Sequence, residues 1–231
     1  GFGIIVLAGI WTLTLSFILS ERDAAIYSAR VSSHQQADTY EAHVVRALRE
    51  IDQTLLFLQY AHSHGRDNYL ADLEERSLLP PALLFIVSIE DEGPFYVHFS
   101  RRLSSAENEF NGIAIVSVET DYFVSSYESN ILGAKGLLAM LDKDGVFIAS
   151  RSGETISTGE VTDYSEIRFH NAGEVDVANN LMVNPWDGVQ RYTSALELFQ
   201  FPIAVVVGLS AEEPLADYFV NRDRDLLLAG V

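Results

Sequence analysis

The chain of 231 residues contains no cysteine. Disulfide frameworks, thiolate metal sites and cysteine nucleophiles are therefore excluded. The absence also suits an oxidising or metal-exposed compartment such as the periplasm. Positive charge is scarce. Fifteen Lys and Arg stand against 33 Asp and Glu, a formal net charge of -18. A nucleic-acid partner needs a basic footprint to neutralise phosphates, so none is expected. The same balance fits anionic lipid headgroups poorly and leaves room for a cationic ligand.

Enzyme motifs are missing as well. There is no Gly-rich phosphate loop, no His pair at metal spacing on a helix and no Gly-x-Ser-x-Gly elbow. His62 and His64 stand two apart near a helix end, and nothing nearby in sequence completes a metal-ligand set. No GGDEF-type motif occurs. The chain is not expected to be an enzyme, to hold a metal or to carry a cofactor, and any catalytic output lies elsewhere.

What the chain does have is hydrophobic content, at 48% of residues, enough for a sizeable core. It also has one long uncharged run. Positions 1–20 (GFGIIVLAGIWTLTLSFILS) hold no charged residue. About 20 apolar residues suffice for a helix to cross a bilayer core. A cleaved signal peptide is the rival reading, but no small-x-small site precedes Glu21, Arg22 and Asp23. At the other end, the charged belt Arg222, Asp223, Arg224 and Asp225 leads into an apolar stretch at 226–231. That pattern predicts the entry of a second span, or otherwise an amphipathic helix tip.

Between these ends the first long element is helical. Positions 21–63 lack Gly and Pro and are rich in Ala, Glu, Gln, Arg and Leu. Ala37, Glu41, Val44, Leu48, Ile51, Leu55 and Leu58 recur at heptad-like spacing. Such a stripe fits a dimer interface or packing on the chain's own domain, or each at a different height.

Strand patterns follow the Pro80-Pro81 break: 83–89, 95–103 and 112–118, then a short helix over 121–130. The pattern then repeats with a strand at 136–141, a hairpin turn at 142–145 (DKDG), and strands at 146–151, 189–198 and 203–209. Ser210 caps a last helix with Glu212 and Glu213 in its first turn. Antiparallel hairpins with helices laid to one side predict an α+β fold.

Seven segments, in order, resemble one family, the double Cache or PDC-type sensor ectodomain. They are 45–56 (VRALREIDQTLL), 99–103 (FSRRL), 110–123 (FNGIAIVSVETDYF), 132–136 (LGAKG), 144–150 (DGVFIAS), 186–191 (WDGVQR) and 201–210 (FPIAVVVGLS). The closest pattern is that of ectodomains of membrane-bound bacterial diguanylate cyclases. The resemblance implies a transmembrane helix at 1–20, a helical stalk at 21–65, a membrane-distal PAS-like module at 66–130, a membrane-proximal one at 131–212, and a helix entering a second span at 213–231. It departs from the family at Glu90 to Gly93, which join two strands directly where the family usually carries some tens of residues. A reduced distal module is expected.

The implied function is ligand sensing at the bacterial inner membrane, with the main domain periplasmic and cyclic-di-GMP synthesis as the output. The alternative is an accessory subunit of a membrane complex that keeps the fold without sensing. A homodimer, or membership of such a complex, is expected. The ligand would be an amino acid, an amine or an organic acid. By the resemblance, Glu119 stands where the family often has an acid that pairs with a ligand ammonium. Alternation sends Tyr96, His98, Ser100 and Arg102 to one strand face and Phe99 and Arg101 to the other. Tyr96, His98, Arg101, Arg102, Glu119 and Tyr122 are thus the candidate ligand contacts. The competing expectation is that Arg102 and Glu119 pair across the sheet. Trp186, Asp187 and Arg191 are read as a turn held by its arginine.

Overall fold

The computed structural model describes residues 2–64, 84–88, 95–104, 109–125, 132–165, 167, 169–170 and 180–213. The first proline of the chain is Pro80. With no earlier breaker, α1 (Phe2–His64) runs unbroken for 63 residues, about 95 Å at 1.5 Å per residue. The uncharged run and the stalk are one helix.

Two antiparallel sheets lie along it. The first contains β1 (Leu84–Ser88), β2 (Tyr96–Ser104) and β3 (Phe110–Glu119), in the order β1-β2-β3. The short helix α2 (Asp121–Val124) follows. The expected helix over 121–130 is described only that far. The second sheet contains β4 (Leu137–Asp142), β5 (Phe147–Ser152), β6 (Thr155–Ser157), β7 (Leu181–Val183), β8 (Gln190–Glu197) and β9 (Ile203–Ser210), in the order β6-β5-β4-β9-β8-β7. The fold is α+β, with a long N-terminal helix and two antiparallel sheet modules.

The heptad-like stripe packs on the chain's own sheets. Ala37, Val44, Leu48, Ile51 and Leu55, joined by Tyr40 and Ala47, form one core with Val97 and Phe99 of β2, Ala114 of β3, Met140 of β4 and Val205 and Val207 of β9. Leu58, the last member of the stripe, is 39% exposed. Full burial of a large aliphatic or aromatic side chain is worth about 1.5–3 kcal/mol. This shared core therefore ties both sheets to α1.

All eight residues of β9 are buried, which explains why 203–209 reads as a continuous apolar run. One face meets α1. The other meets a second cluster of Leu137, Ala139, Leu141, Phe147, Ala195 and Val206, covered by Tyr164, Phe169, Met182 and Trp186. The expected hairpin at 142–145 forms around Asp142, whose Oδ1 accepts the N–H groups of Asp144 and Val146, each at 2.9 Å. Gly145 adopts φ 80° there, a conformation open to glycine.

Candidate functional site

Strand β2 has two chemically distinct faces, as its alternation predicts. Val97, Phe99 and Arg101 are buried against α1, at 0%, 1% and 7% exposure. Tyr96, His98 and Ser100 are half-buried on the outer face, and Arg102 is exposed. The β2–β3 register sets Tyr96 opposite Glu119 and His98 opposite Ser117. Directly opposed residues touch through their side chains. Tyr96 Oη donates to Glu119 Oε1 at 3.4 Å. His98 Nδ1 lies 2.8 Å from Ser117 Oγ. The Tyr96 and His98 rings stack at 6.4 Å with an 18° interplanar angle.

This is a small polar platform with an exposed carboxylate at its edge. The long hydrogen bond from Tyr96 leaves most of Glu119's acceptor capacity for another donor. Toward the other end the same face turns apolar, with Ile113 and Ile115 exposed at 55% and 58%.

The structure brings together Tyr96, His98 and Glu119 but separates the two arginines from them. Arg101 points to the opposite face and pairs through Nη2 with Asp52 Oδ1 of α1. The expected Arg102–Glu119 pair does not form, because the register sets Arg102 opposite Ile113. Six residues separate Arg102 from Tyr96, about 20 Å along the strand. The Arg102 guanidinium instead lies 5.7 Å from the centroid of the Phe110 ring. Tyr122 sits on α2, 47% exposed. It stands edge-on to Phe123, with centroids 5.4 Å apart. His62 is engaged elsewhere, its Nε2 lying 2.8 Å from Asn111 Nδ2. Among the described residues no group of three His, Cys, Asp or Glu is placed to hold a metal ion.

The second sheet holds a buried arginine. Arg191 Nη1 and Nη2 reach Asp187 Oδ1 at 2.9 Å and Oδ2 at 2.7 Å. Asn184 Oδ1, Ser152 Oγ and the Lys135 carbonyl accept its other bonds at 2.8, 3.0 and 2.6 Å. The expected arginine-held turn is present. At the ends of β4 and β8 an open cleft of about 180 Å³ is lined by Asp142, Lys143, Tyr164, Phe169, Glu197 and Phe201, among others.

A second polar cluster was not anticipated. Ser33 and His34 of α1, Ser194 of β8, Asn180 and His170 meet under the stalk. One signal exists in the sequence. Ser33 falls on the buried stripe between Ala29 and Ala37, where an apolar residue would be usual.

No family model matches the chain, and no curated protein matches it. Solved structures do. The extracellular domain of rpHK1S-Z16, assigned as a histidine kinase, superimposes with a TM-score of 0.56 at 15% identity, covering 82% of this chain and 97% of that one. The periplasmic sensory domain of the Campylobacter jejuni chemoreceptor Tlp1 aligns with a TM-score of 0.36 at 14% identity, over 58% of this chain and 49% of that one. The ligand-binding domain of Mlp24 with asparagine aligns with a TM-score of 0.35 at 12% identity, over 93% and 99%. The first superposition shows that this chain shares the fold of that extracellular domain. The other two lie below 0.5 and carry no weight here.

Proposed function

We propose that the chain is the extracytoplasmic ligand-sensing region of a bacterial transmembrane signalling receptor. The observation that carries this reading is the continuity of α1. The helix that bears Asp52, the partner of Arg101 on the back of the ligand face, also bears Leu13, Leu15, Phe17 and Leu19. Those four are 73%, 49%, 62% and 56% exposed. At 100° per residue they point to two roughly opposite sides of the helix, as lipid-facing residues would. Among the described residues no helix is long and apolar enough to cross a membrane. The side chains of residues 1–8 and 10 lie outside that set, so the span at 1–20 rests on the sequence.

In this reading an amino acid or amine places its ammonium on Glu119, beside Tyr96, His98 and Ser117. Binding favours one arrangement of β2 over another, and only such differential binding moves an equilibrium. Strand β2 is tied through Arg101 to Asp52, so its displacement passes into α1 and toward the membrane. The main domain is periplasmic, and the output lies outside this chain. Cyclic-di-GMP synthesis is the output that the sequence resemblance favours. Because fold alone does not fix function, the reading stands or falls on the site.

Thermal-shift screening of the whole chain in detergent, against amino acids, amines and organic acids, tests it. Stabilisation by an ammonium-bearing compound, lost in Glu119→Gln, is the expected result. No stabilisation by any class would favour the accessory-subunit alternative.

A further inference from the structure

The open cleft at the ends of β4 and β8 follows from one small residue. On β9, Val206 fills the sheet face that lies away from α1. Ala204, two residues earlier on the strand, points the same way. It stands in register between Leu141 of β4 and Glu197 of β8. Neighbouring strands lie about 4.8 Å apart, so Leu141 and Glu197 flank a notch about 10 Å across, with only a methyl group as its floor. Tyr164 and Phe169 line it, set edge-on to each other with centroids 5.9 Å apart and planes at 89°. Tyr164 Oη donates to the Lys143 carbonyl at 2.7 Å, which holds that ring in place. Phe201, 5% exposed, lines the cleft from the β8–β9 turn. A volume of about 180 Å³ suits a small organic molecule rather than a peptide.

Two carboxylates line this aromatic cleft. Glu197 is exposed, and its side chain makes no hydrogen bond or ion pair among the described residues. Asp142 commits Oδ1 to the N–H groups of Asp144 and Val146, which leaves Oδ2 without a donor. We propose that the cleft binds a small primary alkylamine, at a site separate from Glu119. An alkylammonium carries three donors, enough for Glu197, Asp142 Oδ2 and water. Bonds between a cation and a carboxylate are the stronger class. The alkyl tail lies against Tyr164, Phe169 and Phe201 and leaves water. Among the described lining residues Lys143 is the one cation, and it would draw a carboxylate ligand instead. Two carboxylates against one ammonium favour the amine. The net charge of -18 also concentrates small cations near the surface.

The cleft also has a route to the stalk. Gln200, beside Phe201 in the β8–β9 turn, accepts a hydrogen bond from Arg49 Nε of α1 at 3.1 Å. An occupant that rests on Phe201 therefore bears on the turn that touches α1. A ligand that binds one setting of this turn more tightly shifts the contact with the helix. No ligand at Glu119 is needed for this response.

Three probes of similar length and different charge test the site: butylamine, 1-butanol and butyrate. The full chain in lipid nanodiscs, with isotopically ring-labelled tyrosine and phenylalanine, is titrated by NMR at about pH 7, where an alkylamine is charged. Butylamine should shift a subset of ring signals saturably. Butanol should bind at least about 5-fold more weakly, and butyrate should give no saturable shift. Glu197→Gln, at an exposed position that leaves the fold intact, should weaken butylamine by about 5- to 10-fold. Glu119→Gln should titrate like the wild type. The proposal is overturned if butanol or butyrate binds as tightly as butylamine, or if Glu197→Gln changes nothing. It is equally overturned if butylamine gives no saturable shift below about 20 mM. Loss of the shift in Glu119→Gln would move the amine to the other site. Failure here leaves ligand binding at Glu119 untouched, so the two readings fail separately.

Discussion

The side chain of Arg191 fills the space that a side chain on Gly208 would need. A Cβ built on Gly208 would lie 2.6 Å from Arg191 Cδ and 3.4 Å from Leu137 Cβ. Here glycine serves close packing, since Cδ is mid-chain and pinned. The guanidinium beyond it is held by Asp187, Asn184, Ser152 and the Lys135 carbonyl. Arg191 is fully buried, and a buried cation is tolerable only when its donors are met.

Gly208→Ala should therefore destabilise the fold by about 1–3 kcal/mol, the usual cost of overpacking. Arg191→Met should cost more, about 3–5 kcal/mol, because it leaves Asp187 and Asn184 facing no cation. Arg191→Lys should fall between wild type and Met, since one ammonium cannot reproduce the bidentate grip on Asp187. Urea denaturation of the three variants checks the order.

The Arg101–Asp52 pair ties the buried face of β2 to α1, and its side chains are 8% and 17% exposed. Asp52→Asn should cost up to about 3 kcal/mol, because it strands a buried guanidinium. Arg101→Met combined with Asp52→Leu should cost less than Asp52→Asn alone, since an apolar pair leaves no charge behind. A double-mutant cycle measured by denaturation gives the coupling. Additive losses, with the double variant costing the sum of the two single ones, would remove Asp52 as the partner.

Much of this fold was legible in the sequence. The alternation of Tyr96, Val97, His98 and Phe99 sorted them onto the two faces of β2, because the period of a strand is two. The strand at 203–209 was legible as an apolar run, and the structure buries Val205, Val206 and Val207 within it. Partners were less legible. The stripe through Val44, Leu48 and Leu55 looks the same whether it meets another copy or the chain's own sheets, and here the sheets take it. Register was hidden too, so Arg102 and Glu119 could be set together on paper while lying about 20 Å apart along the strand. Strand β7 has three residues, too few for a pattern. His34 and Ser194 are 160 residues apart, and no local signal pairs them.

Lys135 gives a prediction at alkaline pH. Its ammonium donates to Glu212 Oε2 at 2.6 Å. That hydrogen bond and the charge of Glu212, with a lesser contribution from Glu213, raise its pKa above the ordinary 10.5. A raised folded-state pKa means stability that is fully present below 10.5 and lost as pH rises through the folded value. The pair is exposed, so the effect is small. Glu212→Gln should flatten part of the alkaline decline in melting temperature between about pH 9 and 12, and leave the melt at pH 7 nearly unchanged. An identical decline in both proteins would assign it to other groups.

The proposed ligand face makes the most discriminating prediction, because its residues should differ in effect. Glu119 is the exposed carboxylate beside Tyr96, and a charge-assisted bond to a ligand ammonium is worth about 1.5–3 kcal/mol. Glu119→Gln should weaken an ammonium-bearing ligand by about 10- to 100-fold. Tyr96→Phe removes only the long 3.4 Å contact that orients the carboxylate and should weaken binding by no more than about 5-fold. His98→Phe keeps the ring beside Tyr96 but loses the contact with Ser117 at 2.8 Å, and should be intermediate. Arg102→Ala should leave affinity unchanged, since Arg102 sits at the apolar end beside Phe110. Calorimetric titration of the whole chain with the compound found by thermal shift would rank the four. If Arg102→Ala weakened binding as much as Glu119→Gln, the site would have to extend along the whole strand, and a single ammonium pocket at Glu119 would be wrong.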